Sequence, residues 1–190
     1  SLSDILKNEI SHNAFKKISL MGELPSQLYV MQSTLCGILT KKISWCSEAT
    51  LHKQITASFF QDLTLDSVKL MKIYDYEHFL SIKDTLRDAE IESYLNHPVK
   101  SRELVLKIKS IPADVDKIIL EQHEMPNGNG FPRKLTSKTI SPVSAMFILT
   151  GYFSKVLLLE QGANVETVFD QIEAKGYSKG NFKDIFNSLK

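Results

Sequence analysis

Cysteine is almost missing from this chain: Cys36 and Cys46 are the only two in 190 residues, too few for a disulfide framework or a cysteine-built zinc site. Cys36 sits inside an apolar pattern and reads as a reduced core thiol, so a cytoplasmic setting is expected. An excess of one charge is missing too. Lys plus Arg number 23 against 22 for Asp plus Glu, a net charge of +1, so no long-range field draws the chain to a nucleic-acid polymer or an anionic membrane. No apolar run reaches the roughly 20 residues a membrane helix needs, and the longest, residues 148–159, is interrupted by Lys155. Strand-like alternation is nowhere sustained, and there is no internal repeat or low-complexity tract. The P-loop, the Gly-x-Ser-x-Gly elbow and the dinucleotide fingerprint do not occur. The start is not signal-like. Ser1 leads directly into LSDILKNEI, from which a fragment of a longer chain with an upstream domain is expected.

What is present is helical periodicity. LPSQLYVMQSTLCGILTKKI, SEATLHKQITASFFQDL, HPVKSRELVLKIKS and ADVDKIILEQHE each carry an apolar face at helical spacing. Pro25, Pro112 and Ser47 mark helix starts. SPVSAMFILTGYFSKVLLL is the most apolar segment and predicts a central, buried helix. VETVFDQIEAKG and KGNFKDIFNSLK follow, the first closed by Gly176 as a C-cap. The expectation is one all-α domain over residues 1–190, a multi-helix bundle of about seven to nine helices. Boundaries between Leu65 and Asn96 are poorly marked because charges crowd that stretch.

Residues 122–135, QHEMPNGNGFPRKL, resemble the signature loop of the HD-GYP family. Those bacterial phosphodiesterases hydrolyse the second messenger cyclic di-GMP, on a helical bundle of the HD-domain type. The pattern is His-His-Glu, two residues, Asp-Gly, one residue, Gly-Tyr-Pro, then Leu after two more. His123, Glu124, Gly128, Gly130, Pro132 and Leu135 match it without a gap, while Gln122, Asn127 and Phe131 stand for the first His, the Asp and the Tyr. The resemblance extends over most of the chain. The family's His-Asp pair falls on Gln61-Asp62, with its following Lys on Leu65. Its His-Pro pair, expected to open a core helix, falls on His97-Pro98. Its first His falls on Gln32, and its metal-binding Asp on Gly151.

The family's chemistry, as the resemblance implies it, uses two or more metal ions held by imidazole and carboxylate around a bridging water. Of the positions placed here, Asp62, His97 and His123 keep a ligand side chain, whereas Gln32, Gln61, Gln122 and Gly151 do not. No Asp or Glu lies between Glu124 and Glu160, and no His between His12 and His52, so nothing nearby replaces them. His12, His52 and His78 have no partner at ligand spacing. The resulting expectation is a degenerate, catalytically inactive HD-GYP-like signalling module with no cofactor, acting on a protein partner such as a GGDEF-domain protein, or on a second copy of itself. Two alternatives stay open. One is a non-hydrolysing cyclic di-GMP receptor using Arg133 and Lys134 at the pocket mouth for phosphate, and Asn127 or Gln122 for a base. The other is a residual phosphodiesterase with one ion on Asp62, His97 and His123. Plainer roles also exist: a cap for Asp62, an N-terminal helix position for His97, a polar core network for His123, and a simple turn for the glycine loop.

Overall fold

Ten α-helices and two short 3₁₀ turns make up the described residues, and no strand occurs among them. The structure is a computed structural model. It describes residue 5 and residues 8–190, with the backbone alone at residues 14 and 15; the opening at Ser1, on which an upstream segment was expected, lies outside them. The helices are α1 (Glu9–Leu20), α2 (Glu23–Lys42), α3 (Glu48–Phe60), α4 (Val68–Met71), α5 (Tyr76–Ile82), α6 (Asp88–Val105), α7 (Val115–Glu121), α8 (Pro142–Leu159), α9 (Val165–Ala174) and α10 (Lys183–Leu189). The architecture is therefore an all-α bundle, as expected. The number slightly exceeds expectation because α4 is a single turn of 4 residues that apolar spacing does not resolve.

Local chemistry explains most boundaries. Ser47 caps α3 through a reciprocal pair with Thr50, and Ser141 accepts from the Ser144 backbone with Pro142 in the first turn of α8. Gly176, at φ +85°, follows α9 in the left-handed conformation that a side chain resists. One boundary departs from expectation. The His97-Pro98 pair does not open a helix: α6 starts at Asp88, and Pro98 lies in its interior.

α8 is the axis. Almost every residue from Ser144 to Val156 is buried, so a helix with the length and hydropathy to cross a membrane is here the core of the fold. Its apolar side chains join Cys36 and Leu39 of α2, Val168 and Ile172 of α9 and Phe186 of α10 in the largest cluster. A second cluster unites Ala57 and Phe60 with Val105, Ile118 and Phe147. A third, around Leu65, Ile73, Phe79 and Tyr94, includes Phe131 of the glycine loop. Cys36 is fully buried, its thiol pushed up to about 12 by burial, as a core thiol should be.

Candidate functional site

Three elements carry the ligand-type residues to one place. Asp62 follows the C-terminus of α3, His97 sits in the middle of α6, His123 lies just past the end of α7, and all three are buried. Their ligating atoms lie within 4.8 Å of one another. His97 Nε2 is 3.6 Å from Asp62 Oδ1 and 3.0 Å from His123 Nε2.

Pro98 explains how His97 is set. Proline has no N–H, so the carbonyl four residues back, that of Tyr94, loses its helical donor. The His97 Nδ1–H donates to that carbonyl at 2.5 Å. The proton is thereby fixed on Nδ1, and Nε2 is left as an acceptor. His123 Nε2–H then donates to His97 Nε2, and His123 Nδ1 accepts from the Tyr94 hydroxyl at 3.4 Å. Tyr94, His97 and His123 close a ring of hydrogen bonds with both imidazoles neutral. Burial pulls His97 down to about 4, and burial together with the neighbouring His97 and Lys155 holds His123 well below the ordinary histidine range.

The carboxamides sit beside this ring. Gln61 Nε2 donates to Gln32 Oε1 at 3.1 Å, Gln32 Nε2 donates to the Phe147 carbonyl at 3.0 Å, and Gln122 Nε2 donates to the Gln61 carbonyl at 2.9 Å. Gln32 packs against Gly151, where an added Cβ would lie 3.0 Å from the Gln32 amide nitrogen. The small residue at 151 and the long one at 32 thus fit as a pair. Gln32, Gln61, Gln122, His123, Gly151 and Lys155 line a cavity of about 20 Å³, room for one or two waters.

The glycine loop roofs the site and is pinned by Glu124. Its buried carboxylate accepts the backbone N–H of Arg133 at 2.6 Å and of Leu135 at 2.7 Å. Burial raises its pKa and those two bonds oppose the rise. Gly130 is obligatory, because a Cβ there would fall 2.4 Å from the Met125 nitrogen. Gly128 turns at φ +79°, and Asn127 pairs with Thr136 in an isolated bridge. The Phe131-Pro132 peptide is cis, and the Phe131 ring stacks on His123 with centroids 4.9 Å apart and planes 4° from parallel. Arg133 and Lys134 do not join the cavity lining. Arg133 pairs with Glu121 at 3.4 Å, and Lys134 lines an outer groove with Tyr76, Glu77 and Leu80.

Two residues central to the site escaped the sequence reading. Tyr94 bonds both histidines, and its position three before His97 was the available signal. Lys155 is buried, with Nζ donating to the Ile73 carbonyl at 3.1 Å. A lone charge in the most apolar segment is its signal. Leu65, where the HD-GYP resemblance would place a lysine, is fully buried in the third cluster.

A two-ion centre needs about six imidazole or carboxylate donors. The described residues offer three, among carboxamides already bonded to one another or to backbone and beside a buried ammonium, and they do not fit such a centre. A family model described as HD domain matches residues 75–173, a span that holds His97, the glycine loop and Lys155. No curated protein and no solved structure gave a match.

Proposed function

The chain belongs to the HD domain family, and from that premise we propose that it is a degenerate HD-GYP-like member, a non-hydrolysing signalling module that works by binding a protein in cyclic di-GMP-related signalling. The observation that carries this reading is the filled pocket: Gln32, Gln61 and Gln122 bond to one another or to backbone where metal ligands are expected, around a cavity of about 20 Å³. Such a volume lies far below the roughly 300 Å³ of a small-molecule site, which also weighs against a cyclic di-GMP receptor. The fixed outer face of the loop supports docking. Tyr76, Glu77, Leu80, Asn129, Phe131 and Lys134 line a groove of about 320 Å³, with Leu80 half exposed. By its resemblance to HD-GYP proteins, a GGDEF domain is the partner to test there, and the exposed Val30 and Ile38 of α2 suit self-association.

Two assays test the reading. The full chain with cyclic di-GMP and manganese or iron should show no turnover above buffer. A purified GGDEF domain should bind with a Kd below about 100 μM and lose binding to Leu80→Glu; turnover, or indifference to that substitution, counts against the proposal.

A second reading has one observation in its favour. Asp62 Oδ1 is buried without a hydrogen-bond partner and faces His97 Nε2, so Asp62, His97 and His123 form a donor set suited to a single ion with water as a fourth ligand. Such an ion would acidify that water for attack on phosphorus. This residual hydrolase requires one ion per chain and turnover that Asp62→Asn abolishes.

A further inference from the structure

A buried carboxylate with an unpartnered oxygen destabilises a fold unless positive charge lies nearby. Asp62 is such a group, and the two imidazoles beside it are neutral in the hydrogen-bonded ring with Tyr94. Asp62 adjoins the cavity without lining it: its neighbour Gln61 and its contact partner His123 line the cavity, together with the carboxylates of Asp75 and Glu124 and one ammonium, that of Lys155. Lys155 lies one helical turn beyond Gly151, on the same face of α8. Gly151 presents no side chain to that face, and the long stem of Lys155 reaches inward until its Nζ meets the Ile73 carbonyl.

We propose that the Lys155 ammonium takes the place of the metal in this pocket: a cation tethered to α8 that balances Asp62 and keeps a divalent ion out. The assignment rests on the non-hydrolysing reading and gives it a mechanism. Where the resemblance places a carboxylate this chain has Gly151, and one turn further along the same helix Lys155 presents a positive charge to the site instead. The electrostatics agree, since burial pulls Lys155 down while Asp62 pushes it back up, and the Lys155 charge lowers both histidines.

The test is calorimetric titration of the full chain with zinc or manganese ions, comparing wild type, Lys155→Met and Lys155→Met/Asp62→Asn. Methionine keeps a flexible stem and removes the charge. Lys155→Met should take up one ion, the wild type should bind at least about tenfold more weakly, and the double variant should lose the uptake. Uptake by the wild type equal to that of a folded Lys155→Met, or no uptake by either, overturns the assignment. Should Lys155→Met fail to bind because it is poorly folded, the melting temperature decides. Loss of Lys155 should lower it by roughly 10 °C, and adding Asp62→Asn should restore most of the loss. A double variant no more stable than Lys155→Met overturns the proposal. Turnover of cyclic di-GMP by the wild type would sink the non-hydrolysing reading, whereas equal metal uptake without turnover sinks the Lys155 assignment alone.

Discussion

His97 and Glu124 show how single side chains set the character of this pocket. His97 meets Asp62 from the end of α3, Tyr94 from its own helix and His123 from the segment after α7, and the charge of Lys155 from α8 acts on it. Burial depresses it to about 4 in the folded state, against roughly 6.5 unfolded. Between those values the unfolded chain binds the proton and the folded one does not, so stability rises with pH across that window and is fully present above about 6.5. Acidification from pH 7 to 4 should therefore cost about 3 kcal/mol through His97, with His123 acting in the same direction. Urea denaturation across that range checks it, and His97→Gln should flatten the profile. Glu124 acts on the roof instead. Glu124→Ala leaves the N–H groups of Arg133 and Leu135 without their acceptor and should cost about 2 kcal/mol, seen as a lower denaturation midpoint at unchanged slope.

Among the elements, α6 is the instructive one. Its interior proline looks like a defect, yet Pro98 frees the Tyr94 carbonyl that orients His97. Nitrogen-15 shifts of the imidazole should report the Nδ1–H tautomer in the wild type. Pro98→Ala supplies a competing helical N–H, and part of the population should move to Nε2–H, where the proton faces Asp62 Oδ1 at 3.6 Å. An unchanged tautomer would show that the proline is there for packing alone. The misplaced start of α6 has a physical cause: Arg87 caps the helix without a side-chain bond from Ser, Thr or Asp, relying on Glu90 to reach back to its backbone, so a reading that weighs Pro as a start signal stops at His97. By contrast, α3 was legible because Ser47 advertises its cap, and α8 because its sequence is apolar on nearly every side.

For the molecule as a whole, apolar periodicity was enough to give an all-α fold, because each long helix buries one face or, for α8, nearly all of its surface. The site was half legible. Spacing in QHEMPNGNGFPRKL and the Gln61-Asp62 and His97-Pro98 pairs named Asp62, His97 and His123, which the fold brings within 4.8 Å of one another, and Gln61 and Gln122, which line the cavity beside them. What spacing does not reveal is what fills it: the Gln32–Gly151 fit, the Tyr94 ring and the inward reach of Lys155 each join segments that are distant in the chain. In the non-hydrolysing reading proposed above, carboxamides and an ammonium stand where a metal centre would. The most direct test of that reading is the metal content of the wild-type chain, grown with iron, manganese and zinc, purified without chelator and read by inductively coupled plasma mass spectrometry. Less than about a tenth of an ion per chain is expected. One ion or more per chain, lost in Asp62→Asn, would contradict the reading.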